Sequence, residues 1–471
     1  MHINDTLRFQ NVGLPEDILR RKLRGDFSGA LRLIDLRLKD AVLPRTLRYA
    51  LEIHKEMLLR LPEEFPYTRA DALEIIREHI PDFTEAEFDR IVDERRVRWI
   101  YIDGEERYFN RFFSSLVKAY PGFAQRANVT LPGVESAVGG IPLLDYSMQK
   151  MQTQGSMTNR IRIRATVRLK DEHFTPGMFI RAHLPIPAAC EQQRDIRIEK
   201  VYPENGMIAP EDALHRAVCW EENMAENHEF TVEYSYLHTA KYHDTEHMQG
   251  VPGQYGFCLE EQAPHIVFTP YLRSLVDELT QGLTDPLEKA RAFYDFITKN
   301  MRYTFMPSYF LLEKIPETCA LDFNGDCGVF ALLFLTLCRC AGIPAQWQSG
   351  FAAEPDFVGG HDWVRFYVEP YGWLYADTSY GVSANRNGNE SRRRFYFGNL
   401  DPYRMVANSA FQADFTVNKQ HWRADPYDNQ VGEMESADKG FSFSEYERSK
   451  EILLCEEAED EKEVRTCDFV S

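Results

Sequence analysis

A cysteine, a histidine and an aspartate at positions 327, 361 and 377 carry the strongest chemical signal in the chain. Cys327 follows Asn324-Gly325-Asp326 and opens an almost wholly apolar run that ends at Cys340-Ala341-Gly342-Ile343-Pro344. Gly342 favours a helix stop and Pro344 prevents continuation, so the run reads as one helix. A helix that is apolar on every side belongs in the centre of a domain. Cys327 would then sit at its N-terminus, where unpaired N–H groups and the helix dipole stabilise a thiolate and can hold an oxyanion. The sequence therefore predicts a thiol of lowered pKa at Cys327. Cys338 and Cys340 lie inside the same apolar run and read as inert core thiols.

A nucleophilic thiolate needs a neighbouring histidine to complete the ion pair and protonate the leaving group. The segments 345–352, 361–368 and 373–377 read as strands. The short link Glu369-Pro370-Tyr371-Gly372 makes a hairpin of the second and third. That hairpin brings His361, at the start of one strand, near Asp377, at the end of the other. Asp377 can accept from one ring nitrogen and aim the other at Cys327, the generalised triad arrangement.

The runs Gly-Asp-Cys-Gly with Ala-Gly-Ile-Pro-Ala, then His-Asp-Trp-Val, then Gly-Trp-Leu-Tyr-Ala-Asp resemble the three motifs of the transglutaminase-like superfamily. The resemblance covers about a quarter of the chain. It implies a papain-like core with Cys327 as nucleophile, His361 as general acid/base and Asp377 as orienting carboxylate. It also implies an upstream side chain as second oxyanion donor, for which Tyr303 in Met301-Arg302-Tyr303-Thr304 is the candidate. The activity implied is acyl transfer from amides of proteins or peptides through a thioacyl-enzyme, with hydrolysis favoured over crosslinking. The alternative is a catalytically silent scaffold that binds protein partners. The Leu184-Pro185-Ile186-Pro187 segment and residues 192–201 resemble the sandwich-like domain that precedes the core in many bacterial members. The paired Cys-x-x-Cys zinc site of the peptide N-glycanases is missing.

The elements that must position these residues follow from periodicity and turn chemistry. A chain of 471 residues exceeds one compact core, and an α+β, multidomain organisation is predicted. Residues 1–127 read as mainly helical. Within them, residues 66–112 have a winged-helix outline: caps at Thr68 and Thr84, two helices, then a hairpin turning at Asp103-Gly104. Arg95, Arg96 and Arg98 would lie near the wing. Residues 155–250 switch to period two, with Ile161, Ile163, Ala165 and Val167 alternating with Arg162, Arg164, Thr166 and Arg168. An antiparallel sandwich follows from that pattern. Residues 260–420 form the catalytic core, and Asp285-Pro286 starts one of its helices. Residues 421–471 are polar and acidic and read as a solvated face or loose tail.

Composition narrows the function classes. A net charge of −19 and a pI near 5.2 argue against a phosphate-tracking nucleic-acid binder. The N-terminal residues have no secretory pattern, no apolar run spans a bilayer, and nine cysteines have no framework spacing. A cytoplasmic protein acting on a protein or peptide, without membrane contact, is the resulting expectation. No metal or other cofactor is implied. His243-Asp244-Thr245-Glu246-His247 spells a zinc-peptidase pattern, but that chemistry needs a helix, and Gly250, Pro252 and Gly253 follow at once. Asp322, Asn324 and Asp326 begin like a calcium loop, yet Cys327 replaces the required glycine and Leu333 the closing acid.

Overall fold

The computed structural model describes residues 3–129, 136–428 and 430–458. In the N-terminal region, α1 (Arg45–Glu64) leads to α2 (Arg69–His79), α3 (Glu85–Asp93), the hairpin β1 (Trp99–Ile102) and β2 (Glu105–Tyr108), and α4 (Phe112–Ala119). Thr68 with Asp71 and Thr84 with Glu87 form reciprocal capping boxes, so α2 and α3 start where the sequence predicts. Two of the wing arginines are engaged by the protein itself, while Arg95 is exposed. Arg98 donates to Asn324 Oδ1 at 3.0 Å, and Arg96 pairs with Glu94 while lying over Tyr120. The hairpin tip is held as well: Ser28 Oγ donates to Asp103 Oδ2 at 2.6 Å.

The strands β3 (Ser156–Leu169), β4 (Met178–Pro185), β5 (Gln193–Tyr202), β6 (Met207–Ile208), β7 (Ala217–Met224) and β8 (Phe230–Lys241) build a sandwich. It is completed from the far end of the chain by β14 (Glu433–Ser436) and β15 (Tyr446–Ala458). One sheet has the order β15-β3-β8-β5 and the other β14-β4-β7-β6. The inward side chains Ile161, Ile163, Val167, Leu184, Trp220 and Tyr236 are all buried in a single cluster. The described residues from His421 onward are thus no loose tail: two of their segments are paired strands, and the exposed charges of β15 form the solvated face that was the other expectation. The reason lies in the arginine stripe of β3. Arg164 pairs with Glu233 on one side and with Glu451 of β15 on the other, each at 2.9 Å. An acidic edge strand complements that stripe. The rest of the acidic run, from residue 459, lies outside the described residues, as does Cys467.

The third unit holds α5 (Pro286–Asn300), α6 (Cys327–Cys340), β9 (Ala345–Glu354), β10 (Phe357–Val368), β11 (Gly372–Ala376), α7 (Thr378–Arg386), β12 (Phe397–Gly398) and β13 (Arg404–Asn408). Its antiparallel sheet has the order β12-β11-β10-β9-β13. Helix α6 packs on the sheet, with Phe334 edge-on to Phe366 at 5.6 Å, and is buried from Gly328 through Cys338. Each such Leu or Phe contributes about 1.5–3 kcal/mol on burial, which fixes the helix and therefore its N-terminus. Gly342 adopts φ +81°, and the following Ile343 N–H closes the helix end on the Cys338 carbonyl at 2.9 Å. Among the described residues, no helix is long and apolar enough to cross a membrane.

Candidate active site

The hairpin register pairs Val364 with Ala376, so the chain beyond each residue runs to the same end of the sheet. There His361 Nε2 meets Asp377 Oδ2 at 2.7 Å, with both side chains buried. Asp377 also caps α7: its Oδ1 accepts from Tyr380 N at 2.9 Å and from Ser379 Oγ at 3.1 Å. A further partner had no signal in the sequence. Arg404, fully buried on β13, places Nη1 3.0 Å from Asp377 Oδ2 and also pairs with Asp401. Burial alone would raise the Asp377 carboxyl, but His361 and Arg404 hold it at about 2. It is ionised at any physiological pH and fixes His361 with Nδ1 as the free ring nitrogen. Opposite His361 in the sheet, Gly350 lies against the Met405 carbonyl, where a Cβ has no room.

Cys327 stands at the start of α6 behind its N-cap, Asp326, whose Oδ1 accepts from Val329 N at 3.2 Å and from the Tyr309 hydroxyl at 2.6 Å. The thiol donates to Asp362 Oδ2 at 3.3 Å. Tyr303, the predicted oxyanion donor, lies beside Cys327, and burial with that neighbour pushes its hydroxyl well above the ordinary value. It reaches that place because Tyr303 pairs in parallel with Gly325, two residues before the cysteine. Gly328 allows the close packing; a Cβ there would collide with the Tyr309 hydroxyl and Asp362 Oδ2.

Asp362 is buried beside Asp428, and Gln430 Nε2 donates to both carboxyls. Two buried carboxyls in contact cannot both be ionised, so the pair retains a proton at neutral pH. Burial and the neighbouring carboxyls push Asp362 well up and Asp428 up to about 7. The same burial, with Asp362 and Asp326 close by, pushes the Cys327 thiol well above its ordinary value. This overturns the lowered pKa predicted from the helix N-terminus. A helix end offers about half a unit charge, and here several acids face it.

The sequence model of the Transglutaminase-like superfamily matches residues 273–378. Residues 273–378 are a transglutaminase-like domain. The match takes in Cys327, His361 and Asp377, and it stops before Arg404. A stretch of 131 residues is 25% identical to YebA of Bacillus subtilis, a protein of uncharacterised function. That stretch is 24% of this chain and 18% of YebA. Among solved structures, a candidate cysteine protease from Cytophaga hutchinsonii aligns with a TM-score of 0.43 at 16% identity. That alignment covers 64% of this chain and 91% of that one. The periplasmic domain of TgpA from Pseudomonas aeruginosa aligns with a TM-score of 0.28 at 13% identity, covering 53% and 96%.

The transglutaminase-like domain does not build its site alone. The N-terminal region braces the loop before Cys327: Arg98 holds Asn324, and Phe305 N donates to Ser115 Oγ of α4 at 3.1 Å. His361, Tyr303 and Tyr380 line a cleft of about 450 Å³ together with Lys118 of α4. The zinc-like pattern is dispersed, with His247 on Asp244 at 2.8 Å and Glu246 facing Arg291 at 3.3 Å. Among the described residues, no cluster of three or more metal-ligating side chains forms.

Proposed function

We propose that the transglutaminase-like domain is a cysteine-dependent acyl-transfer enzyme that cleaves amide bonds of peptides or proteins. The observation that carries this reading is the His361–Asp377 pair, locked by Arg404, at the same cleft as Tyr303, which lies beside Cys327. In the reaction, the Cys327 proton passes to His361 Nδ1 and the sulfur attacks the amide carbonyl carbon. The C–S bond forms while the carbonyl π electrons move to oxygen. Tyr303 and the N–H groups opening α6 hold that oxyanion. His361 then gives its proton to the departing amine as the C–N bond breaks, leaving a thioester. Water, deprotonated by His361, attacks the thioester; the acid leaves and the thiol regains its proton. Asp377 stays ionised throughout and steadies the imidazolium. The eight described cysteines are all unpaired, which fits a reducing compartment.

One observation favours a second reading. The thiol is engaged by Asp362 and its pKa is pushed up, as suits a scaffold that binds peptides without cutting them. Incubation of the wild type and Cys327→Ala with a casein peptide mixture, read by mass spectrometry, separates the two. The enzyme reading expects new termini from the wild type and none from a folded Cys327→Ala. Added monodansylcadaverine shows whether an amine replaces water as acceptor. Equal cleavage by the variant, or none by either protein, contradicts the enzyme reading.

A further inference from the structure

Two cations of the cleft have no carboxylate partner among the described residues. Lys118, half-buried on α4, and Arg386, at the end of α7, both line the cavity that holds His361 and Tyr303. Arg386 donates from Nη1 to the Lys118 main-chain carbonyl, which ties the N-terminal region to the catalytic one at this point. The Lys118 ammonium lies 5.6 Å from the centre of the Tyr303 ring. Among the described residues neither side chain has a carboxylate within ion-pair distance. The other charges of the cleft are engaged elsewhere. Arg392 Nε meets Asp145 at 2.9 Å, Glu354 accepts from the Tyr380 hydroxyl at 3.0 Å, and Asp356 accepts from Ser136 Oγ at 2.5 Å.

We infer that Lys118 and Arg386 form an anion subsite of the cleft, which takes a carboxylate of the peptide substrate close to the amide under attack. The inference rests on the proposed activity and names the substrate class within it: peptides carrying a carboxylate beside the scissile bond. Arg386 is exposed and also donates from Nε to Asn387 Oδ1 at 3.3 Å, so the cost falls on the half-buried Lys118 ammonium, which a neighbouring like charge disfavours until an anion joins it. Burial, with Arg386 beside it, pushes Lys118 below its ordinary value, as an uncompensated ammonium requires. Lys118 and Tyr303 line the same cleft as His361, so an anion held there lies on the wall that carries the proposed oxyanion donor. The carboxylate is either a free C-terminus or an acidic side chain; both present the same two oxygens to the cations.

Alkylating reagents of matched size test the subsite without a known substrate. The rate for iodoacetate, an anion, is divided by that for neutral iodoacetamide at Cys327, with glutathione as the reference thiol. The subsite predicts a ratio about fivefold above that of glutathione, returning to the glutathione value in the Lys118→Gln/Arg386→Gln double variant. A wild-type ratio at or below that of glutathione, or one that the double variant leaves in place, overturns it. A second measurement does not depend on sulfur reactivity. In Cys327→Ala, N-acetylglycine raises Tm, N-acetylglycinamide does not, and adding the double variant removes the effect. Equal shifts from both compounds also overturn the subsite. N-acetylglutamic acid α-amide, whose only carboxylate is on the side chain, identifies the source: a shift matching that of N-acetylglycine admits acidic side chains, and no shift restricts the subsite to a C-terminus. If both reagents label Cys327 slowly, the catalytic reading fails, while the Tm comparison still decides the subsite.

Discussion

The two sides of the candidate site are built on opposite electrostatic plans. On one, Asp377 lies between His361 and Arg404, and these partners keep the carboxylate ionised despite full burial. On the other, Cys327, Asp362 and Asp428 are three acids in a row with no cation among them, and each holds its proton more tightly than usual. Burial acts the same way on both sides, so the difference comes from partners. A buried carboxyl beside Arg and His stays charged, and a buried carboxyl beside another carboxyl stays neutral. The difference suits the proposed chemistry. At neutral pH the neutral acid beside the sulfur adds no negative charge, so the thiolate that forms when His361 takes its proton meets a dipole and not an anion.

Breaking the charged side should have the largest effect. Arg404→Met leaves Asp377 and Asp401 buried without their shared cation, and a loss of about 3–5 kcal/mol is expected. Urea unfolding at pH 7 measures it; a change below about 1 kcal/mol would show that Arg404 is dispensable to the pair.

The acid side should respond in the opposite sense. A carboxyl raised in the folded state makes stability fall as pH rises from its unfolded value, near 4, to its folded value. For Asp428, at about 7, that window is about pH 4–7. Asp428→Asn, isosteric with the neutral acid, should remove that slope and gain on the order of 3 kcal/mol at pH 8. Unfolding curves at pH 5 and pH 8 give the answer, and an unchanged slope would refute the retained proton.

Asp377 gives the smallest of the three effects. Its folded pKa, about 2, lies below the unfolded value, so its contribution is present above about pH 4 and lost as pH falls toward 2. About 2 kcal/mol is expected to vanish over that range, and Asp377→Asn should lack this acid-dependent part. An identical acid limb in wild type and variant would assign the loss to other groups.

What was legible in the sequence was local. Thr68, Thr84 and Asp285 announce helix starts through their own hydroxyl or carboxylate, and the segment from Gly325 to Pro344 encodes a helix with its stop. The hairpin link at 369–372 fixed the His361–Asp377 encounter because a short turn leaves one register. The partners of the thiol were not legible. Asp362 sits in plain view beside His361, but its meaning depends on Gln430, 68 residues away, and no local pattern joins them. Arg404 pairs with Asp377 only because β13 lies beside β9 in the sheet. The last strands were legible only as a solvated face or a tail for a related reason: β15 is an edge strand with one solvent-facing side, and its charges alone do not tell the two apart.

The most direct test of the central claim is iodoacetamide labelling across pH, with the modified cysteine mapped, in wild type and His361→Ala. If His361 outweighs the burial and carboxyls that push the thiol up and takes the Cys327 proton, Cys327 labels at least about tenfold faster than Cys455 at pH 6, and His361→Ala abolishes that advantage. Labelling of Cys327 no faster than Cys455, or a rate that His361→Ala leaves unchanged, would contradict the account.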